Sequence, residues 1–191
     1  MQVIGRTGPK VDTMTQDNQL EQWLAQEREQ DARFDGGAGA GVVRPDQVAS
    51  LGGLQLMRAM LAGELPYPPI AKTLDFMLIE VDDGRALFQG TPGPAHLNPM
   101  GGIHGGWYAT LLDSAMGCAV HTKMPAGRGY TTAELSINIV RAIGAKAPRV
   151  RAEGKVLHAG RQLATAEGRL VGPDGTLYAH ATTTCLVFDL R

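Results

Sequence analysis

A single long apolar segment, Gly105–His121, has the length and the low content of β-branched residues that are typical of a buried helix. The segments around it alternate in the manner of strands and are separated by turn sequences such as Asp82-Asp83-Gly84 and Gly172-Pro173-Asp174-Gly175. The predicted order is two strands, the helix and four strands. This pattern predicts an α+β fold in which one helix covers a face of an antiparallel sheet. The predicted strands span residues 74–81, 85–91, 130–143, 149–158, 162–171 and 176–188.

The first third of the chain differs from this pattern. Residues 1–44 are a polar, partly flexible extension in which Asn18–Arg33 is a predicted helix with Asn18 as its N-cap, followed by the linker-like run GGAGAG at 36–41. Residues 45–69 are interpreted as a helix over Pro45–Ala62 and a Pro-rich connector. The main domain is then expected to occupy residues 70–191.

The charge balance argues against nucleic acid as a partner. The 191 residues contain 18 basic and 19 acidic side chains, and the first 70 carry six basic and nine acidic ones, a net charge of −3. The sequence contains neither a secretory leader pattern nor the run of ~18 apolar residues that a membrane helix needs. We therefore expect a soluble, cytoplasmic protein, with Cys118 and Cys185 as reduced thiols.

The informative stretch is HLNPMGGIHGGWYATLLDSAMGCAVH, residues 96–121. Gly105-Gly106 lies at the predicted start of the helix, where free N–H groups and the helix dipole can hold an oxyanion or polarise a carbonyl. The alternative interpretation is that these glycines only allow a tight loop. Asp113 lies inside the apolar helix, where it could be a nucleophile or a general base, or else a carboxylate on a narrow polar face.

Helix geometry relates these two positions. Gly105 and Asp113 are eight residues apart, which is ~12 Å along a helix axis. One carbonyl group cannot contact both, so a shared role requires two antiparallel copies of the helix in a homodimer. His104 is either a loop histidine that fixes the turn or a general acid. The five histidines have no metal-ligand spacing, so neither a metal nor a cofactor is expected.

The run Asn98-Pro99-Met100-Gly101-Gly102-Ile103-His104-Gly105-Gly106, followed by Leu111-Leu112-Asp113-Ser114-Ala115, resembles the hotdog-fold acyl-CoA thioesterases of the phenylacetic-acid-degradation type (PaaI-like). The segments TTAELSINIVR (131–141) and HAGR (158–161) are also similar, and the resemblance covers about residues 70–188. It implies an antiparallel sheet wrapped around one long helix. It also implies dimers, often paired into tetramers, and hydrolysis of an acyl- or aryl-CoA thioester.

The resemblance also assigns roles to individual residues. The Gly105 amide would polarise the thioester carbonyl, Asn98 would position the thioester or the water, and Asp113 of the partner subunit would be the nucleophile or the general base. His104 and Gly106 belong to the same motif. A polar residue near the start of the following strand would orient the carboxylate or the water. The candidates for that residue are Thr132, which we favour, Thr131 and Glu134.

Basic groups are expected along the path of the CoA phosphates, and the candidates are Arg141, Lys146, Arg149 and Arg161. The chain departs from the family pattern in two places. Ala142 replaces the usual proline after the strand, and the bulky Trp107 in the first helical turn is expected to narrow the acyl pocket. The helix over residues 45–62 is a candidate lid over the pocket mouth.

Two other functions remain open at this point. A hotdog hydratase or dehydratase would pair a catalytic histidine with a carboxylate, which His104 and Asp113 could supply, although the Pro-rich loop of that branch is missing. A non-catalytic acyl-CoA-binding protein would bind the thioester without releasing the thiol. Such sensors usually carry a DNA-binding module, which the acidic extension does not resemble.

Overall fold

The computed structural model describes residues 16–144 and 147–190. Five α-helices and six strands lie in these ranges, together with a short 3₁₀ turn at Pro94–His96. In chain order they are α1 (Gln16–Gly36), α2 (Pro45–Ser50), α3 (Gly53–Leu61), α4 (Pro69–Thr73), β1 (Phe76–Asp82), β2 (Arg85–Gly90), α5 (Gly105–Thr122), β3 (Arg128–Ile139), β4 (Val150–Ala159), β5 (Leu163–Val171) and β6 (Leu177–Asp189).

The six strands form one antiparallel sheet in the order β1-β2-β4-β5-β6-β3. The predicted α+β architecture and the order of its elements are therefore confirmed. The largest difference is at β3, which ends at Ile139 rather than at residue 143. After it, the N–H groups of Val140 and Arg141 both donate to the carbonyl of Tyr178, so the regular ladder stops there.

Helix α5 packs along the inner face of the sheet, and its apolar side is the centre of the core. Glycine makes this close packing possible. A Cβ at Gly154 in β4 would lie 2.3 Å from the Ala115 carbonyl oxygen of α5, and one at Gly90 in β2 would lie 2.8 Å from the Leu111 side chain. A side chain at either position would push the helix away from the sheet.

Helix α1 covers part of the opposite, outer face of the sheet. Trp23 is buried there, and the Arg151 guanidinium of β4 lies over its ring at 4.4 Å. The buried Gln89 side chain of β2 accepts a hydrogen bond from Arg151 and donates one to Glu27 of α1. The sheet is thus held between α5 on one face and α1 on the other, so the N-terminal extension is part of the packed structure from residue 16 onward.

Two expectations for the first third of the chain were wrong. The run at 36–41 is not a free linker, because the Ala38 N–H donates to the Gly63 carbonyl and the Gly41 N–H to the Tyr67 carbonyl. The helix predicted over residues 45–62 is two helices, since Leu51 and Gly52 are extended (ψ 141° and 147°). The break lets Gly53 touch α5, where its Cβ would overlap the His121 carbonyl oxygen. Among the described residues, no helix is long and apolar enough to cross a membrane.

Candidate active site

The N-terminus of α5 presents a main-chain donor that no described residue accepts from. His104 is the N-cap, and its Nδ1 accepts a hydrogen bond from the Gly106 N–H at 2.9 Å. The Trp107 N–H donates to the His104 carbonyl at 2.9 Å. The Gly105 N–H lies between these two bonds and has no acceptor in the described part of the chain. Together with the helix dipole, it can receive a carbonyl or oxyanion oxygen.

Asn98 shapes the loop that leads into this helix. Its Oδ1 accepts hydrogen bonds from the N–H groups of Met100 at 2.9 Å and Gly102 at 3.1 Å, and its own N–H donates to the Gly102 carbonyl. The turn passes through Gly101 at a φ of 82°, a conformation that favours glycine. Asn98 thus fixes the loop through its oxygen, which leaves the side-chain NH₂ as the group that can face a ligand.

The carboxylate of Asp113 is half-buried on α5 and is oriented by a strand. The Thr132 Oγ1 of β3 donates a hydrogen bond to Asp113 Oδ1 at 2.9 Å. A β-bulge directly after Thr132 shifts the register of β3 against β6. The neighbouring Thr131 and the post-bulge Glu134 are exposed and point away from α5, because strand residues alternate between faces.

Two ionisable side chains, Tyr130 and Cys118, lie near Asp113. A Cβ at Gly117 would lie only 2.7 Å from the Tyr130 hydroxyl. The tyrosine therefore packs directly against the backbone of α5. Burial, with a smaller contribution from the nearby Asp113 charge, raises the pKa of the Cys118 thiol to about 12 and that of Tyr130 well above its ordinary value. Both groups therefore stay neutral at ordinary pH.

Within one chain, these groups form two separate half-sites. Gly105, His104 and Asn98 lie together at the start of α5, whereas Asp113 and Thr132 lie two turns further along the helix. The axial separation of ~12 Å is too large for one reacting carbonyl to contact both. Within one chain, the two half-sites therefore cannot act on the same carbonyl.

The predicted phosphate-binding residues have different surroundings. Arg141 and Arg161 are exposed, and the Arg161 carbonyl accepts a hydrogen bond from the Arg128 guanidinium. Arg149 is bound instead by Glu27 of α1, at 2.7 Å between Nη2 and Oε1, so it is committed to a structural ion pair. Lys146 lies outside the described residues.

Trp107 and helix α3 lie at different ends of α5. Trp107 is 3% exposed, and its indole N–H donates to the Leu74 carbonyl at 2.8 Å, so most of the ring fills the core beneath β2 while part of the residue lines a cavity beside His104. Helix α3 packs on the C-terminal end of α5, through Gly53 and His121, and does not cover Gly105 of its own chain. Among the described residues, no group of His, Cys, Asp or Glu side chains is arranged to hold a metal.

Ile139 is a neighbour of Gly105 that was not predicted from the sequence. Its Cδ1, at the end of β3, would lie 3.3 Å from a Cβ at Gly105, although Ile139 itself is 44% exposed. A cavity of about 370 Å³ beside His104 and Gly106 was not predicted either. The alternation of apolar residues in TTAELSINIVR (131–141) indicates that Ile139 lies on the same face of the strand as Leu135 and Ile137. The cavity has no local signal, because its lining comes from three separate segments.

Comparison with known proteins gives the family of the chain. The sequence profile of the Thioesterase superfamily matches residues 100–179, which include Gly105, Asp113 and Thr132. A phenylacetic acid degradation-related protein from Ralstonia eutropha JMP134 has a solved structure and is 30% identical. The match covers 68% of this chain and 97% of that one, with a TM-score of 0.62.

Two further solved structures are similar. A point mutant of the phenylacetic acid degradation protein PaaI from Thermus thermophilus is 29% identical over 62% of this chain and 97% of its own (TM-score 0.57). A thioesterase family protein from Silicibacter pomeroyi is 26% identical over 72% of this chain and 99% of its own (TM-score 0.62). No functionally curated protein matches the sequence.

An antiparallel sheet packed on one long helix, as in these solved structures, is the hotdog fold. The chain belongs to the thioesterase superfamily and is a PaaI-like thioesterase. Its general chemistry is thioester hydrolysis.

Proposed function

We propose that this protein hydrolyses an acyl-CoA or aryl-CoA thioester to the free acid and CoA, in a site shared by two copies of the chain. The observation that carries the proposal is the 2.9 Å hydrogen bond from Thr132 to Asp113, which holds a carboxylate on the open side of α5. The unused Gly105 N–H at the start of the same helix supplies the second half of such a site.

In the proposed reaction, the thioester carbonyl accepts a hydrogen bond from the Gly105 N–H of one chain. The partner chain's carboxylate at position 113 either attacks the carbonyl carbon directly or removes a proton from a water molecule that attacks it. Negative charge moves to the carbonyl oxygen, where the helix N-terminus stabilises it.

The tetrahedral intermediate then collapses, the C–S bond breaks and the CoA sulfur leaves. If Asp113 is a general base, this collapse gives the free acid directly, and the proton that Asp113 took from water passes to the sulfur. If Asp113 is the nucleophile, the collapse leaves a mixed anhydride, which a water molecule hydrolyses to the free acid and the restored carboxylate while a proton of that water goes to the thiolate.

The other candidate residues have supporting roles. Asn98 positions the thioester or the water through its side-chain NH₂, Thr132 orients the carboxylate, and His104 fixes the helix start through its bond to Gly106. Arg141 and Arg161 are the exposed bases available to the CoA phosphates. The roles of Thr131 and Glu134 in substrate contact have the weakest support, since both point away from α5.

The proposal includes a homodimer with antiparallel α5 helices, and two such dimers pair into a tetramer. The protein acts in the cytoplasm and needs no cofactor. Its support is the half-buried Asp113 face of α5, which the sheet of the same chain leaves uncovered, and the unpaired edge of the 12-residue strand β3. An edge of this length is a natural place for a second copy to pair.

The decisive experiment is thiol release from phenylacetyl-CoA, followed with a thiol-reactive dye. Asp113→Asn keeps the size of the side chain but removes its base, so turnover should fall by about 100-fold or more. Glu167→Gln, an exposed carboxylate on β5, is the matched control and should retain full activity. A loss of less than a few-fold with Asp113→Asn across good substrates would show that Asp113 is not the catalytic group.

The same assay distinguishes the alternatives. Binding of phenylacetyl-CoA without thiol release by the native protein would favour a non-catalytic acyl-CoA-binding protein. Addition of water to an unsaturated acyl-CoA, again without thiol release, would favour a hydratase. Label in the Asp113 carboxylate after a single turnover in heavy-oxygen water would show the nucleophilic role, since a general base acquires none.

A further inference from the structure

The β-bulge directly after Thr132 interrupts the regular pairing of β3 with β6. The register moves by two residues on β3 for one on β6 between two cross-strand pairs, Thr132–Cys185 and Glu134–Thr184. Ala133 is the extra residue and has no cross-strand partner. The ladder therefore fixes β3 less firmly at this point than elsewhere, although the Thr132 hydroxyl has to stay within hydrogen-bond distance of its acceptor.

A buried hydroxyl on β6 is bonded to the main chain of this bulge. The Thr183 Oγ1 donates to the Glu134 carbonyl at 2.7 Å, and Thr183 is only 2% exposed. Water does not compete for a hydrogen bond at such a position, so the bond constrains the bulge more strongly than the same bond would at the surface. The residue two positions before the carbonyl is Thr132, and its orientation therefore depends on this anchor.

The protons of the buried groups leave neither threonine hydroxyl free to turn. Thr132 donates its single proton to Asp113 at 2.9 Å, and Thr183 donates its own to the Glu134 carbonyl. Cys185 is fully buried opposite Thr132, and its Sγ lies 4.0 Å from the Thr183 Oγ1. Burial raises the pKa of this thiol, so it keeps its proton and is the donor in that contact.

We propose that Thr183 is a positioning residue of the active site, which holds the bulge so that the Thr132 hydroxyl meets the Asp113 carboxylate. Its hydrogen bond goes to the main chain of β3, so it acts through Thr132 and not on the substrate. A small displacement of a catalytic group lowers the rate of the chemical step. The inference rests on the proposed function, because it bears on catalysis only if Asp113 takes part in hydrolysis.

The test measures kcat and KM for the best substrate among acetyl-CoA, phenylacetyl-CoA and dodecanoyl-CoA. Thr183→Val keeps the shape of the side chain but removes the hydroxyl, so kcat should fall by about ten-fold while KM changes by less than about two-fold. Thr183→Ser keeps the hydroxyl and should retain at least about half of the native kcat. Thr182→Val, at the exposed neighbouring position on the outer face of β6, is the matched control and should change neither constant.

A double-mutant cycle with Thr132→Val separates positioning from a general loss of stability. Thr132→Val alone should lower kcat by about ten-fold, and adding Thr183→Val should lower it by less than about two-fold more, because both changes remove the same orientation of Asp113. A loss of folded protein would instead lower activity by the same factor in both backgrounds. Circular dichroism checks the folded state of each variant, and Thr183→Ala takes the place of Thr183→Val if the valine variant does not fold.

Three results would overturn the inference: a native kcat in Thr183→Val, an equally large loss in Thr183→Ser, or the same loss from Thr183→Val in the native and Thr132→Val backgrounds. Each of them leaves the proposed hydrolysis intact. The absence of thiol release from every thioester by the native protein, or full activity of Asp113→Asn, would instead reject the proposed function itself.

Discussion

Gly105 carries the main-chain donor of the proposed site, and its position allows that donor to be removed cleanly. It is the first residue of α5, where proline is favoured because the N–H makes no helix bond. The preceding His104 has φ −62° and ψ 135°, a conformation that a following proline accepts. Gly105→Pro should therefore fold, yet lower kcat by about 10²–10³, the usual cost of losing one oxyanion donor.

Gly105→Ala is the matched control, because it adds a Cβ but keeps the N–H. That Cβ would lie 3.3 Å from the Cδ1 of Ile139, so both variants should be made in native and Ile139→Val backgrounds. Ile139→Val removes this Cδ1 and gives the new Cβ room. Kinetics and circular dichroism check the outcome. Equal activity of the Pro and Ala variants in the Ile139→Val background would mean that the N–H is not used.

At the scale of elements, the contact between α3 and α5 has a pH-dependent consequence. The His121 ring lies under Gly53 of α3 and 5.7 Å from the Tyr130 ring of β3, and this burial lowers the pKa of His121 below its ordinary 6.5. As the pH falls, His121 therefore takes up a proton at a higher pH in the unfolded chain than in the folded one. The stability that neutral His121 confers is fully present above pH 6.5 and is lost as the pH falls toward its folded pKa.

Urea unfolding at a series of pH values tests this. The free energy of unfolding should decrease as the pH falls below 6.5, by up to about 1.4 kcal/mol for each unit by which the pKa is lowered. His121→Gln should flatten the curve in this window, while His158→Gln, at an exposed position in β4, should leave the decrease unchanged. A decrease of the same size in the His121→Gln variant would show that other groups cause it.

The helices and strands also differ in how well the sequence predicts them. The helix α5 and its six strands follow from hydrophobic period and turn residues, which are local signals. The break at Leu51-Gly52 was missed because it depends on α3 meeting α5, a contact between segments about 70 residues apart in the chain. The role of Arg149 was mistaken for the same reason, since its partner Glu27 lies in a helix that contacts it only after folding.

At the scale of the whole molecule, the proposed site exists only when two chains meet. The candidate site residues could be predicted because the motif from Asn98 to Asp113 is local, but the fold of one chain keeps its two halves ~12 Å apart along α5. Complementation between inactive chains tests this arrangement directly. A chain with Gly105→Pro retains its carboxylate at Asp113, and a chain with Asp113→Asn retains its donor at Gly105.

In a mixed dimer of these two chains, one site has both intact groups and the other has neither. After co-refolding in equal amounts, half of the dimers are mixed, so about one quarter of the native activity should return although each variant alone is nearly inactive. A mixture no more active than its components would show that Gly105 and Asp113 do not meet across chains, and the shared site would have to be abandoned.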